Sequence, residues 1–232
     1  MKVSEFIQRV QSLYSKGVNS DDSRLSNRHI YNKLLTVRSR LISQEAKKKL
    51  RISAWNYQTL PCVELIQVPT HDCPCIPPRG CDILRSRYEL PKPLSGLSND
   101  LIKSVSSIDR DLKIDEISIN ALGSQKGNKF TSKKINYFIQ DGYLYISTPS
   151  KLKVVSVIGL FEDPIEASKF PSYCGCEGCI ECVDYLEEDF PIDNYLADAV
   201  IELSLQELVV MFSQNIEDLT NNSRDNLKEQ SK

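Results

Sequence analysis

Eight cysteines, most of them crowded into two short stretches, are the residues whose spacing could do chemistry. One stretch is Cys73-Pro-Cys75 followed by Cys81, with Cys62 upstream; the other is Cys174-Gly-Cys176-Glu-Gly-Cys179-Ile-Glu-Cys182. Four thiolates can close a tetrahedral zinc site, which makes Cys174, Cys176, Cys179 and Cys182 the candidate metal ligands and zinc the candidate cofactor. The two glycines between them give the backbone freedom that such a tight loop needs. The spacing differs from a zinc ribbon, which separates its two Cys pairs by a long loop. Free thiols and disulfides formed outside a reducing compartment are the competing states. His71 and His29 are the sole histidines, and neither stands in a motif that would make a neighbouring thiol a nucleophile. Phosphate-binding loops, dinucleotide fingerprints, zinc-protease helices and nucleophile elbows are missing from the sequence, so the chain reads as a non-enzyme.

The charge is unevenly spread. The net charge is -2, yet residues 24–51 hold nine Lys/Arg against one acid, and residues 162–193 hold ten Asp/Glu against one base. Blocks of opposite sign suit head-to-tail contact between copies, or contact of each end with a different partner. The basic block could instead meet nucleic acid, although no reading motif accompanies it. The chain has no apolar run long enough to span a bilayer, and its first residues lack the apolar core of a secretory signal. It is therefore expected to be made in a cytoplasm that keeps thiols reduced.

The elements that must position these residues follow from periodicity. Val3, Phe6, Ile7 and Val10 recur at helical spacing, and Gly17 suits a terminator. A second helix is expected over 24–50, its stripe formed by Ile30, Leu34, Val37 and Leu41. Seven prolines between 61 and 93 then break helical structure. Strands are expected at 62–68, 81–88, 113–122 and 153–161, with one or two helical turns at 99–106 and a loop tip at 123–129. Asp141-Gly142 between aromatic and β-branched runs marks a hairpin. The last helix, 191–219, is apolar on more than one face and is therefore buried on two sides, in a core or at a subunit interface. The fold class is α+β: N-terminal helices, a central antiparallel β-sheet of four to six strands and a long C-terminal helix. The organisation reads as an N-terminal helical region (1–51), a β-rich core (52–165), a Cys-rich acidic insertion (166–190), the C-terminal helix (191–219) and a polar tail (220–232).

Two segments carry a resemblance. SRLSNRHIYNKLLTVRSRLISQ (23–44), continuing through KKKLRISAWNYQTLPCVEL (47–65), and LYISTPSKLKVVSVIGLFEDP (144–164) resemble the neck and tail ring proteins of crAss-like tailed phages. There, a basic helix leads into a Gln-x-Leu-x-Cys strand, and a later strand ends in a Phe-Glu-Asp-Pro turn. The resemblance implies a structural virion subunit, made in the host cytoplasm, that forms a ring of about twelve copies by a closed heterologous contact. The implied partners are further copies of the chain, the portal protein, adjacent tail rings and, transiently, passing DNA, with no membrane. Arg24, Arg28, Arg38 and Arg40 on the basic helix, and Leu203, Val209 and Phe212 on the last helix, are the expected interface residues. A zinc-held adaptor and a weak nucleic-acid binder are the readings that compete.

Overall fold

A computed structural model describes residues 1–17, 25–48, 52–69, 82–94, 101–131, 134–147, 152–174 and 184–213. Two apolar layers are packed together, one of helices and one a closed barrel of strands.

The helical layer is built from α1 (Val3–Tyr14), α2 (Asn27–Lys47) and α5 (Asn194–Ser213). Val3, Phe6, Ile7 and Val10 are all buried, as their spacing predicts, and α1 ends where Gly17 takes φ 81°. Ser26 caps α2, its hydroxyl accepting from the His29 amide at 3.3 Å. Ile30, Leu34 and Val37 are fully buried against Phe6, Val200 and Leu208 in one continuous cluster.

The barrel has the order β1-β2-β6-β5-β4-β3-β7, closed by the pairing of β7 with β1. Its strands are β1 (Gln58–Pro69), β2 (Asp82–Ser86), β3 (Ile102–Ser106), β4 (Lys113–Glu116), β5 (Asn136–Gln140), β6 (Tyr143–Ile146) and β7 (Val154–Gly159). β1 makes closure possible. Its first half pairs with β7 and its second half with β2, and a register shift between Leu60 and Val63 bends it from one sheet into the other. Where β3 pairs with β7, a Cβ on Gly159 would lie 2.8 Å from the Ile102 Cδ1, so the Ile102 side chain would have to shift. Leu60, Val63, Val105, Ile114, Leu144, Val155 and Val157 fill the interior.

The α+β class with helices at both ends and a long last helix is what the sequence predicts. The expected antiparallel sheet of four to six strands is, among the described residues, a closed barrel of seven, antiparallel except where β4 runs parallel to β5. The hairpin is present, with Asp141 at φ 50° and Gly142 at φ 78° between β5 and β6. Three local readings are corrected. The strand expected over 113–122 ends at Glu116, and residues 119–122 are helical. Residues 102–106, expected as helical turns, form β3, because Ile102-Lys-Ser-Val-Ser fits between β4 and β7 and gains both ladders. Residues 123–129, expected as a loop tip, lie largely in α3 (Ile119–Gly127). A parallel pair cannot be joined by a tight turn, so the chain must cross from β4 to β5, and Leu122 anchors the crossing on Ile83, Phe138 and Tyr145. The helix stops within the expected tip, at the Asn128 cap.

Candidate functional site

Apart from Arg24, the residues expected to meet a partner lie on α2 and α5, whose buried faces pack on each other and on α1. The protomer uses them in three different ways.

Arg38 is a correction. It is fully buried, so it does not belong to a protomer surface. Its Nε donates to the Pro191 carbonyl at 2.9 Å, its Nη1 to the Phe161 carbonyl at 3.0 Å and its Nη2 to the Asn56 carbonyl at 3.4 Å. One guanidinium thus ties α2 to the chain before β1, the chain after β7 and the chain before α5, which only its planar fork of donors could do. Desolvation pulls its pKa down to about 10, still well above neutrality. Beside it, Tyr31 Oη donates to Asp163 Oδ1 at 3.1 Å, and burial with the nearby carboxylate pushes the phenol upward. Asp163 also caps the short α4 (Pro164–Ser168) by accepting from the Ile165 amide at 2.9 Å.

Arg40 is exposed but engaged: its Nη1 lies 2.7 Å from Glu207 Oε1, while Lys33 Nζ lies 2.9 Å from Glu207 Oε2. The hydrogen bond from Lys33, with that from Arg40, holds the Glu207 carboxyl below the ordinary carboxylate range despite partial desolvation. The basic block is therefore not one continuous cationic stripe. Lys33 and Arg40 serve α5, Arg38 is inside, and Arg28, Lys47 and Lys48 remain exposed. The acidic block is spent in part too, on Lys2 through Glu187 and on Lys92 through Glu162. Arg24 lies outside the described residues.

α5 packs most of its apolar residues within the protomer, and its last turn is the exception. Ala197, Val200, Ile201 and Leu208 are buried on α1 and α2, whereas Val209 is 45% exposed, Val210 60% and Met211 51%. Leu203 and Phe212 are half-buried against the helical core, Phe212 presenting its edge to Tyr14 with ring centres 6.4 Å apart. Of the three α5 residues expected at an interface, Val209 is the one that faces outward most.

Cys174 is bonded to Cys62, and the Tyr173 amide donates to the Cys62 carbonyl at 3.0 Å, docking the start of the Cys-rich segment on the β1 bend. While that bond stands, Cys174 has no thiolate for a metal. Cys176, Cys179 and Cys182, with Cys73, Cys75, Cys81 and His71, lie outside the described residues. Among the described residues no group of three His, Cys, Asp or Glu could hold a metal ion, and no described helix is long and apolar enough to cross a membrane.

Two features went unread in the sequence. Phe130 is 86% exposed; a lone aromatic in the polar run GNKFTSKK was the available signal. A cavity of about 260 Å³ opens between the start of β1 and α4, with Glu188 and Asp189 among its lining residues. No sequence signal marks it, because it depends on how the layers meet.

No curated protein matches the chain. The family model described as phage tail ring protein 2, of the crAss ring group, matches residues 5–227. Nearly the whole chain is thus covered, and the protein belongs to this family of structural tail ring proteins of crAss-like phages.

Proposed function

We propose that the chain is the repeating subunit of a closed ring in the portal-proximal part of the tail, assembled from on the order of a dozen copies through one heterologous contact. The ring joins the capsid portal to the next tail ring and leaves a central passage for DNA. One observation carries the reading beyond family membership: the last turn of α5, a helix otherwise packed in the protomer through Leu196, Val200, Ile201 and Leu208, leaves Val209 45%, Val210 60% and Met211 51% exposed. Neighbouring exposed apolar residues of this kind mark interaction surfaces. Val209 and Arg28 are the interface residues most strongly favoured, since Arg38 is internal and Arg40 is engaged by Glu207.

Contact with DNA is brief in this reading. A net charge of -2 per chain suits a passage along which a polyanion must slide, because dense phosphate neutralisation would hold it. The zinc-held adaptor has no observation in its favour among the described residues.

Sedimentation velocity over a concentration series tests the reading. A large discrete species that grows at the expense of monomer supports it; a monomer at every concentration, and with portal protein added, contradicts it.

A further inference from the structure

The ring reading leaves open which two surfaces meet. A closed ring made by one heterologous contact needs two different patches that fit each other, and the two ends of the barrel carry such a pair.

Strand directions define the ends. β1, β3 and the close of β7 place Gln58, Ile102 and Gly159 together at the end that carries α4. The opposite end gathers the β3–β4 turn, the chain leading into β5 and the start of β7, since Ser106 pairs with both Lys113 and Ser156 and Asp115 pairs with Asn136. Projecting from that far end are three large apolar side chains, Phe130 at 86% exposure, Ile108 at 52% and Leu112 at 37%. The exposed charges around them are Arg110, Lys113, Lys129, Lys134 and Lys153, against Asp109, Asp111 and Asp115.

Hydrogen bonds tie the backbone on either side of Phe130. Gln125 Nε2 reaches Asn136 Oδ1 and the carbonyls of Thr131 and Lys134, and Thr131 Oγ1 donates to the Gln125 carbonyl at 2.8 Å. The Phe130 amide itself donates to Asn128 Oδ1 at 3.0 Å. An aromatic presented on so constrained a backbone loses little freedom on docking.

The near end holds the 260 Å³ cavity. Ile165 and Ala167 give it an apolar wall, Gln58 and Thr59 its edge on β1, and Glu188 and Asp189 an acidic rim. For scale, a cavity of about 150 Å³ accepts benzene. Gln58 Nε2 donates to the Pro164 carbonyl at 3.0 Å, while its Oε1 is buried without a donor in the protomer. Lys2, which bridges to Asp189 in backbone, directs its ammonium to Glu187.

We infer that Phe130 of one copy enters the cavity beside α4 of the next copy, with its flanking lysines against the Glu188 and Asp189 rim. The inference rests on the ring reading and names its contact. A benzyl group fills the apolar wall, and basic and acidic rims match in sign, which also sets the direction of the ring.

The test uses the full chain, with a benzophenone amino acid in place of Phe130 and, separately, Phe130→Ser. Phe130 is in solvent, so the Phe130→Ser protomer should keep the wild-type circular dichroism and Tm. The concentration for half-assembly should rise by about tenfold or more, as for the loss of a central aromatic anchor. Irradiated assemblies should give cross-links that mass spectrometry maps to α4 or to residues 58–59 of another copy. If wild-type rings form but Phe130→Ser assembles equally well and the cross-links map elsewhere, the contact is wrong and the ring reading stands. A wild-type chain that forms no ring removes the reading, and the contact with it.

Discussion

Arg38 Nη1 donates to the Phe161 carbonyl across 3.0 Å, joining the middle of the basic helix to the chain that leaves β7. With the bonds to Pro191 and Asn56, it makes one side chain the clasp between the helical layer and the barrel. A charge that looks like surface in the sequence is a structural centre in the fold.

Replacing it with a side chain of similar length and no donors leaves three carbonyl groups facing an apolar wall. Arg38→Met is expected to cost on the order of 3 kcal/mol or more, since hydrogen bonds to charged groups contribute about 1.5–3 kcal/mol each and orphaned acceptors add to the loss. Arg38→Lys should recover only part, because an ammonium cannot reach three divergent carbonyls. Urea unfolding of both variants checks the order.

Glu207 gives a pH signature. Its pKa is lowered in the folded state by hydrogen bonds from Lys33 and Arg40. A depressed carboxylate contributes stability that is present above its unfolded value of 4.5 and is lost as pH falls through the folded value. Below pH 4.5 the wild type should therefore lose stability more steeply than Glu207→Gln, whose amide does not titrate. Thermal melts across the acid range measure the two slopes.

The Cys62–Cys174 bond ties residues 112 apart in sequence. Closing a loop of this size stabilises by up to about 4–5 kcal/mol in the chain-entropy view. Reductant, or Cys174→Ser, should lower the Tm of oxidised protein, and the titratable thiol count of the untreated chain should be at least two below that of the reduced chain. Equal thiol counts would contradict the bond.

The fold was legible where one local rule decides the outcome. Val3, Phe6, Ile7 and Val10 wrote α1 in their spacing, and Asp141-Gly142 wrote the hairpin, because a two-residue turn with positive φ at both positions admits few other residues. β3 and α3 were misread for the opposite reason. The Ile102–Ser106 strand exists through its two neighbours, and the Ile119–Gly127 helix through the need to cross between parallel strands. The candidate site divided likewise. The apolar character of α5 was visible in its composition, but most of that surface is packed within the protomer, and Val209, Val210 and Met211 in its last turn are exposed. Arg38 could not be told from Arg28 or Arg40 by type or by its place in a basic run; burial is set by what packs over it.

The hairpin carries its own test. Gly142 has room for a side chain, its Cβ position lying 3.7 Å from Glu89, so the cost of Gly142→Val is conformational, at φ 78°. A loss of about 1–2 kcal/mol is expected for forcing a branched residue into the left-handed region, read as a lowered urea midpoint with an unchanged m-value.

On α5, Val209→Asp and Leu208→Asp should separate assembly from folding. Leu208 is fully buried and Val209 is 45% exposed. A carboxylate at 208 should unfold the helical layer, whereas at 209 it should leave the unfolding free energy within about 0.5 kcal/mol of wild type and lower the oligomer yield.

Native mass with negative-stain imaging of the purified chain, alone and mixed with portal protein, addresses the central claim most directly. Closed rings of about a dozen subunits, or saturable docking of the chain onto portal, are expected. A chain that stays monomeric and indifferent to portal would contradict it.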